Sequence, residues 1–338
     1  MNPKQEDYYV APPNGYKCVM SFVPHSSEPP FEQESELKRV WGKKWGISND
    51  VGKIRVILVK RPGDEMKIVD ESKWDPELGV IIDRDRYYWR SRSKPDLKKL
   101  QAQHDAMIDV LRKEGIQVEY IENQPDDGTK SVYTRDPAIV VKGGVIVGRM
   151  ARLMRKGEEK RMMQKLASLG MPILRTISGN GLLEGGSFSW INKENAVLSL
   201  SIAGNEEAAR QVEEVLRVQG VNLIKVPNTG YDIHIDGAFV MIDKNRAVTD
   251  TTMLPYWFLK ILKDLKVECI ERHRDDGPFG VNCLALEPGK ILMASEAEKT
   301  AKLLEKEGVK VMTIDISELV KGGGGIHCST LPLIRDDI

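Results

Sequence analysis

The sequence has no surplus of charge of either sign: 50 Lys and Arg residues stand against 50 Asp and Glu. Without a net field there is no electrostatic reason for nucleic acid or an anionic membrane to bind, and partners are expected to be small or neutral. Long apolar runs are missing too. The opening Met1-Asn2-Pro3-Lys4-Gln5-Glu6-Asp7 lacks the apolar stretch of a signal peptide, and no segment has the length needed to cross a bilayer, so a cytoplasmic location is expected. Cysteine is scarce. Cys18, Cys269, Cys283 and Cys328 are too few and too scattered for a disulfide framework, and no CxxC or CxxH spacing suggests zinc. Reduced thiols are expected, and neither a metal nor a cofactor is implied. What remains, 41% hydrophobic and 30% charged, is the composition of an ordinary globular chain.

One of the four cysteines stands in unusual surroundings. Gly322-Gly323-Gly324-Gly325 leads through Ile326-His327 into Cys328-Ser329-Thr330. Consecutive glycines let backbone come close to a ligand where a Cβ would obstruct it. A plain flexible tail explains the same glycines equally well.

Residues 1–50 are rich in Pro, Glu and aromatics, with Tyr8-Tyr9, Pro12-Pro13, Pro29-Pro30, Trp41 and Trp45. This interrupted pattern suits an extended arm that packs along the body through Trp41 and Trp45, or covers a binding site. From residue 52 the chain repeats a hairpin, a helix and a short strand, in modules of roughly 45 to 55 residues. The first has Ile54 to Val59 turning at Pro62-Gly63, then a helix with Leu97, Leu100, Met107, Ile108 and Leu111 on one face. The order recurs from Ala138, Phe188, Ala238 and Cys283, the fifth helix opened by a Ser295 to Glu298 capping box. Gly115, Gly170, Gly220 and Gly308 mark four of the five helix ends. No module can bury its apolar face alone. Residues 51–338 are therefore expected to form one closed α/β domain, strands at the centre and helices outside.

Polar residues interrupt the apolar pattern at matching places. Asp136, Glu184, His234 with Asp236, and Asn282 precede the second to fifth hairpins, and Cys328 takes the remaining slot if the modules close on themselves. A thiol, an imidazole and three carboxylates would then share one pocket, as nucleophilic attack on a cation requires. Taken singly, each has a structural explanation: His234 and Asp236 as a pair on one strand face, Glu184-Gly185-Gly186 as a turn, Arg135-Asp136 as a surface ion pair. His327 has no module slot and is read as scaffold. His25, His104 and His273 are too dispersed for a metal site.

Tyr133-Thr134-Arg135-Asp136, Glu184-Gly185-Gly186, His234-Ile235-Asp236 and Gly323-Gly324-Gly325-Ile326-His327-Cys328-Ser329-Thr330, in this order, resemble the guanidino-group modifying enzymes. That superfamily comprises arginine deiminases, dimethylarginine dimethylaminohydrolases, agmatine deiminases and amidinotransferases. Gly52 to Gly63 is also similar to the first strand of arginine deiminases. The resemblance implies a five-bladed α/β propeller, with Cys328 as nucleophile, His234 as proton donor and acceptor, and Glu184 orienting His234. It implies that Asp136 and Asp236 hold the guanidinium. Ser187 stands where arginine deiminases usually carry Asp, facing the substrate's tail. Arg152 and Arg155, with Arg149 nearby, are candidates for a substrate carboxylate; a solvated helix start is the alternative.

The activity implied is hydrolysis of a guanidino C–N bond through a covalent Cys328 adduct, with a small guanidino compound as partner. Transfer of the amidino group to an amine is the alternative, and a binding protein that kept the fold without catalysis is a third reading. A homo-oligomer is compatible with all three.

Overall fold

The computed structural model describes residues 11–24, 26–228 and 233–338. Tyr8-Tyr9 and His25 lie outside the described residues. Among those described, no helix is long and apolar enough to cross a membrane.

The fold is mixed α/β. Five three-stranded sheets share one plan, an antiparallel pair followed, after a helix, by a parallel third strand. In the second unit Ala138–Val141 pairs with Gly144–Val147, the helix Glu158–Ser168 crosses over, and Ile173–Thr176 returns parallel. The third unit uses Phe188–Asn192, Asn195–Leu200 and Asn222–Pro227, the fourth Phe239–Asp243, Arg246–Thr249 and Glu268–Glu271, the fifth Leu284–Glu287, Lys290–Ala294 and Lys310–Ile314. The first differs in how it is closed. Ile54–Val59 does not turn back at Pro62-Gly63; its antiparallel partner is the last strand of the chain, Leu331–Arg335. Its parallel partner, Gln117–Tyr120, follows the helix Leu97–Lys113. Pairing the two ends of the chain places Cys328 directly before a first strand, as Asp136, Glu184, Asp236 and Asn282 stand before theirs.

The helix of each of the five units leaves by the same device. The amides of Ile116, Met171, Val221, Val267 and Val309 reach back five residues to the carbonyls of Leu111, Leu166, Leu216, Leu262 and Leu304. All ten side chains are buried, so the hydrogen bond that ends each helix comes with an apolar contact across it. This turn needs positive φ at the residue between, and glycine supplies it at 115, 170, 220 and 308, with φ of 77°, 77°, 70° and 80°. Lys266, at φ 62°, fills the same place in the fourth unit.

Further expectations need correction. The helix Glu298–Lys306 has no Ser295–Glu298 box; Asp276 caps it by accepting from the amides of Lys299 (3.3 Å) and Thr300 (2.5 Å). The stretch between Val59 and Leu97 holds a sixth sheet, the antiparallel strands Trp74–Asp75, Val80–Asp83 and Tyr87–Trp89. At the start of the chain Trp45 is buried but Trp41 is 40% exposed. Gly46 donates to the Leu333 carbonyl (3.1 Å), and Asp50 accepts from both the amide and the hydroxyl of the Trp190–Ser189 pair at 2.8 Å, so residues 45–50 belong to the body.

A left-handed lysine costs about 1–2 kcal/mol, which glycine avoids while giving back roughly 0.5–1 kcal/mol through its freer unfolded chain. Lys266→Gly is therefore expected to raise the free energy of unfolding by about 0.5–1 kcal/mol in a urea titration. A lower stability would show that the Lys266 side chain contributes something the turn geometry does not explain.

Candidate active site

The residues that precede the first strands converge on a cleft of about 200 Å³, lined by Cys328, His234, Asp136, Asp236 and Asn282 among others. Backbone bonds fasten their loops together: the Arg135 amide donates to the Cys328 carbonyl (3.0 Å) and the Gly185 amide to the Asp136 carbonyl (2.6 Å). The glycine run is packed, not loose. A Cβ on Gly322 would run into the Tyr133 hydroxyl, one on Gly324 into the Tyr133 ring, and one on Gly323 into the Tyr88 hydroxyl. Gly186 is required for a different reason, since a Cβ there would sit 2.6 Å from His234 Nδ1.

His234 Nε2 lies 3.0 Å from Glu184 Oε2, and its Nδ1 lies 3.9 Å from Asp136 Oδ1. Burial disfavours a charged imidazole, but Asp136, Glu184 and Asp236 outweigh it and push His234 up to about 9. Burial likewise opposes the charge on Glu184, and the His234 hydrogen bond together with Arg155 overcomes it and holds Glu184 low. On the other side of the cleft Cys328 Sγ accepts from Asn282 Nδ2 (3.2 Å) and its S–H points to Asp236 Oδ2 at 3.7 Å. That thiol is held well above its ordinary value, first by burial and then by Asp236 and Asp136. Asp236 Oδ2 also accepts from His327 Nδ1 at 2.8 Å.

Asp136 Oδ2 accepts from Arg155 Nη1 at 2.5 Å, whereas Asp136 Oδ1 is buried without a hydrogen-bond partner. An orphaned carboxylate oxygen costs about 1–3 kcal/mol, so this one is poised for a donor that enters the cleft. Asp136, Glu184 and His234 are close enough together to hold a metal ion. A cation is already there: Arg155 Nη1 lies 3.6 Å from Glu184 Oε2 as well as on Asp136.

Two expectations about the tail of the substrate are revised. Arg155 lines the cleft, but it is 3% exposed and its guanidinium is taken up by the protein's own carboxylates, Nε and Nη2 forking onto Glu158 at 3.0 and 2.7 Å while Nη1 holds Asp136. Ser187 is fully buried, its hydroxyl unpartnered, and it does not line the cleft. Arg152 does line it; Arg149 instead donates to the carbonyls of Gly179 and Gly181. His327 was read as scaffold, yet it holds Asp236; its place beside the cysteine was the signal available. Tyr88, Arg90 and Lys130 also line the cleft and went unnoticed, because they come from outside the repeated slots.

The sequence model of the eukaryotic N,N dimethylarginine dimethylhydrolases matches residues 86–335. The chain belongs to this family. Through it the chain is one of the guanidino-group modifying enzymes, and its relatives agree. It is 21% identical to an arginine deiminase of Listeria monocytogenes over 86% of this chain and 98% of that one. Among solved structures, a citrulline complex of the dimethylarginine dimethylaminohydrolase of Pseudomonas aeruginosa superposes with a TM-score of 0.66 at 19% identity, covering 82% and 99% of the two chains. The N-terminal domain of ArgZ, a cyanobacterial arginine dihydrolase, gives 0.68 at 15% identity over 84% and 98%. At such identities the likeness is one of fold.

Because His234 holds its proton more tightly folded than unfolded, its stabilising contribution is complete below its ordinary value of 6.5 and is lost as pH rises through about 9. Unfolding free energies across that window are expected to fall in the parent protein relative to His234→Gln. Parallel curves for the two would mean that the proton is not held by the fold.

Proposed function

We propose that this protein hydrolyses a C–N bond of a guanidino compound through a covalent adduct on Cys328. The observation that carries the reading is the unpartnered Asp136 Oδ1, buried beside the His234 imidazole in the cleft that Cys328 lines. A planar guanidinium offers the donors this oxygen lacks, and a carboxylate matches its forked edge. Asp136 and Asp236 hold the cation. Its positive charge favours the thiolate of Cys328, whose ionisation is opposed by burial and by Asp236 and Asp136.

The thiolate then attacks the guanidinium carbon, and His234 delivers a proton to the departing nitrogen as the C–N bond breaks. The intermediate is a thiouronium. His234, now neutral, takes a proton from water, which attacks the same carbon; the C–S bond breaks, the remaining hydroxyl proton passes to solvent, and a ureido product and the thiolate are left. Glu184 keeps the imidazole oriented and stabilises its cationic form. His327 fixes the Asp236 carboxylate.

The substrates named for the family and its relatives, dimethylarginine and arginine, are the first to examine. The five similar units are read as the blades of a five-bladed α/β propeller, a reading supported by the closing pair Ile54–Val59 with Leu331–Arg335.

Incubation with mono- and dialkylated guanidines is expected to release the alkylamine or ammonia and one equivalent of ureido product without any added amine. Turnover only when an acceptor amine is present would favour amidino transfer instead. Cys328→Ser is expected to lose at least about 10³-fold in kcat while still binding the guanidine. Near-normal turnover by that variant would rule out the covalent route.

A further inference from the structure

Asn282 stands before the strand Leu284–Glu287 as Asp136, Glu184 and Asp236 stand before theirs, yet it carries no charge. Its side chain lines the cleft, is buried, and is held at both ends. The His327 amide donates to Asn282 Oδ1 at 3.1 Å, and Asn282 Nδ2 donates to Cys328 Sγ at 3.2 Å. A backbone N–H can only donate, so the oxygen end belongs to His327 and the N–H end must face sulfur. Gly325 makes the approach possible, since a Cβ there would lie 2.4 Å from Asn282 Oδ1.

The sulfur therefore meets one acceptor and one donor. Asp236 Oδ2, which accepts from His327 Nδ1 at 2.8 Å, lies 3.7 Å from Sγ. A neutral thiol satisfies both neighbours, donating to Asp236 and accepting from Asn282. A thiolate can only accept, so ionisation makes the Asp236 contact repulsive and turns the Asn282 contact into a charge-assisted hydrogen bond. Burial, Asp236 and Asp136 hold the thiol up, while the Gly325 backbone and Asn282 pull it down.

We propose that Asn282 is a catalytic residue whose Nδ2–H stabilises the Cys328 thiolate before sulfur attacks carbon, and again when the C–S bond breaks and its electron pair returns to sulfur. This rests on Cys328 being the nucleophile of the guanidino reading. Asn282 gives up no proton. Its donor matters least in the thiouronium, where the sulfur lone pairs are drawn into the cation, so it favours the two thiolate states on either side of the adduct. An uncharged donor suits the place. A lysine or arginine would hold the thiolate too, but would repel the guanidinium that Asp136 and Asp236 attract, and a carboxylate would set another negative charge beside sulfur.

The test reads ionisation and not turnover. The ultraviolet absorbance of the Cys328 thiolate, taken as the difference from Cys328→Ser, is titrated in the parent protein and in Asn282→Leu, which keeps the volume and loses the donor. The ionisation constant of the thiol is expected to fall about tenfold or more in Asn282→Leu, the worth of a hydrogen bond to a charged group. A second measurement needs no variant at Asn282: in isotope-labelled parent protein the Nδ2 chemical shift of Asn282 should move with the same midpoint as the thiolate absorbance. A side chain that only held the His327 amide would leave that shift indifferent to the titration. A thiol unchanged in Asn282→Leu, or an Nδ2 shift that does not follow ionisation, would overturn the proposal. Both results as expected in a protein that turns over no guanidine would count against the guanidino reading and uphold the Asn282 contact; turnover in the parent with an unmoved Nδ2 shift would do the reverse.

Discussion

The site is governed by the cost of keeping negative charge out of water. Asp136, Glu184 and Asp236 are each at most 3% exposed, and a thiol lies among them. Removing a carboxylate from water costs several kcal/mol unless cations and donors replace the solvent. Arg155 does so for Asp136 and Glu184, a protonated His234 for Glu184, and His327 for Asp236. Compensation stops short of the cleft, where one Asp136 oxygen has no partner and Cys328 stays protonated. A site left in this condition is complementary to a flat cation, which in the proposed mechanism turns the thiol into a nucleophile.

The fold makes that arrangement possible by repetition. Five similar units deliver one polar loop each to the same place, so residues far apart in sequence meet without any long excursion of the chain. Pairing the last strand with the first positions Cys328, the nucleophile we propose. The helix-ending turn, with its paired Leu and apolar residue, recurs in all five units and fixes the spacing between each helix and the strand that follows.

Much of this was legible in the sequence for physical reasons. Glycines at 115, 170, 220 and 308 mark turns that need positive φ, and Asp136, Glu184, His234, Asp236 and Cys328 stand out because a buried strand entry is a costly place for a polar residue. Lys266 hid the fifth such turn, since nothing in a lysine announces a left-handed backbone. The first hairpin was misjudged because the partner of Ile54–Val59 lies at the far end of the chain and periodicity carries no information about distant pairing. Short strands at Trp74–Asp75 and Tyr87–Trp89 left no period to detect, so the insertion that brings Tyr88 and Arg90 to the cleft passed unseen. Arg155 does reach the cleft, but its ion pairs with Glu158 and Asp136 depend on burial, which its spacing in the sequence does not show.

The ionisation of Cys328 tests the account most directly. The ultraviolet absorbance of its thiolate, taken as the difference between the parent protein and Cys328→Ser, can be titrated with and without bound methylguanidinium. The account predicts a thiol above its ordinary value of 9.0 in the free protein and a marked fall once the cation is bound. A thiol that already ionises near neutrality in the free protein, or that titrates identically in both conditions, would contradict it.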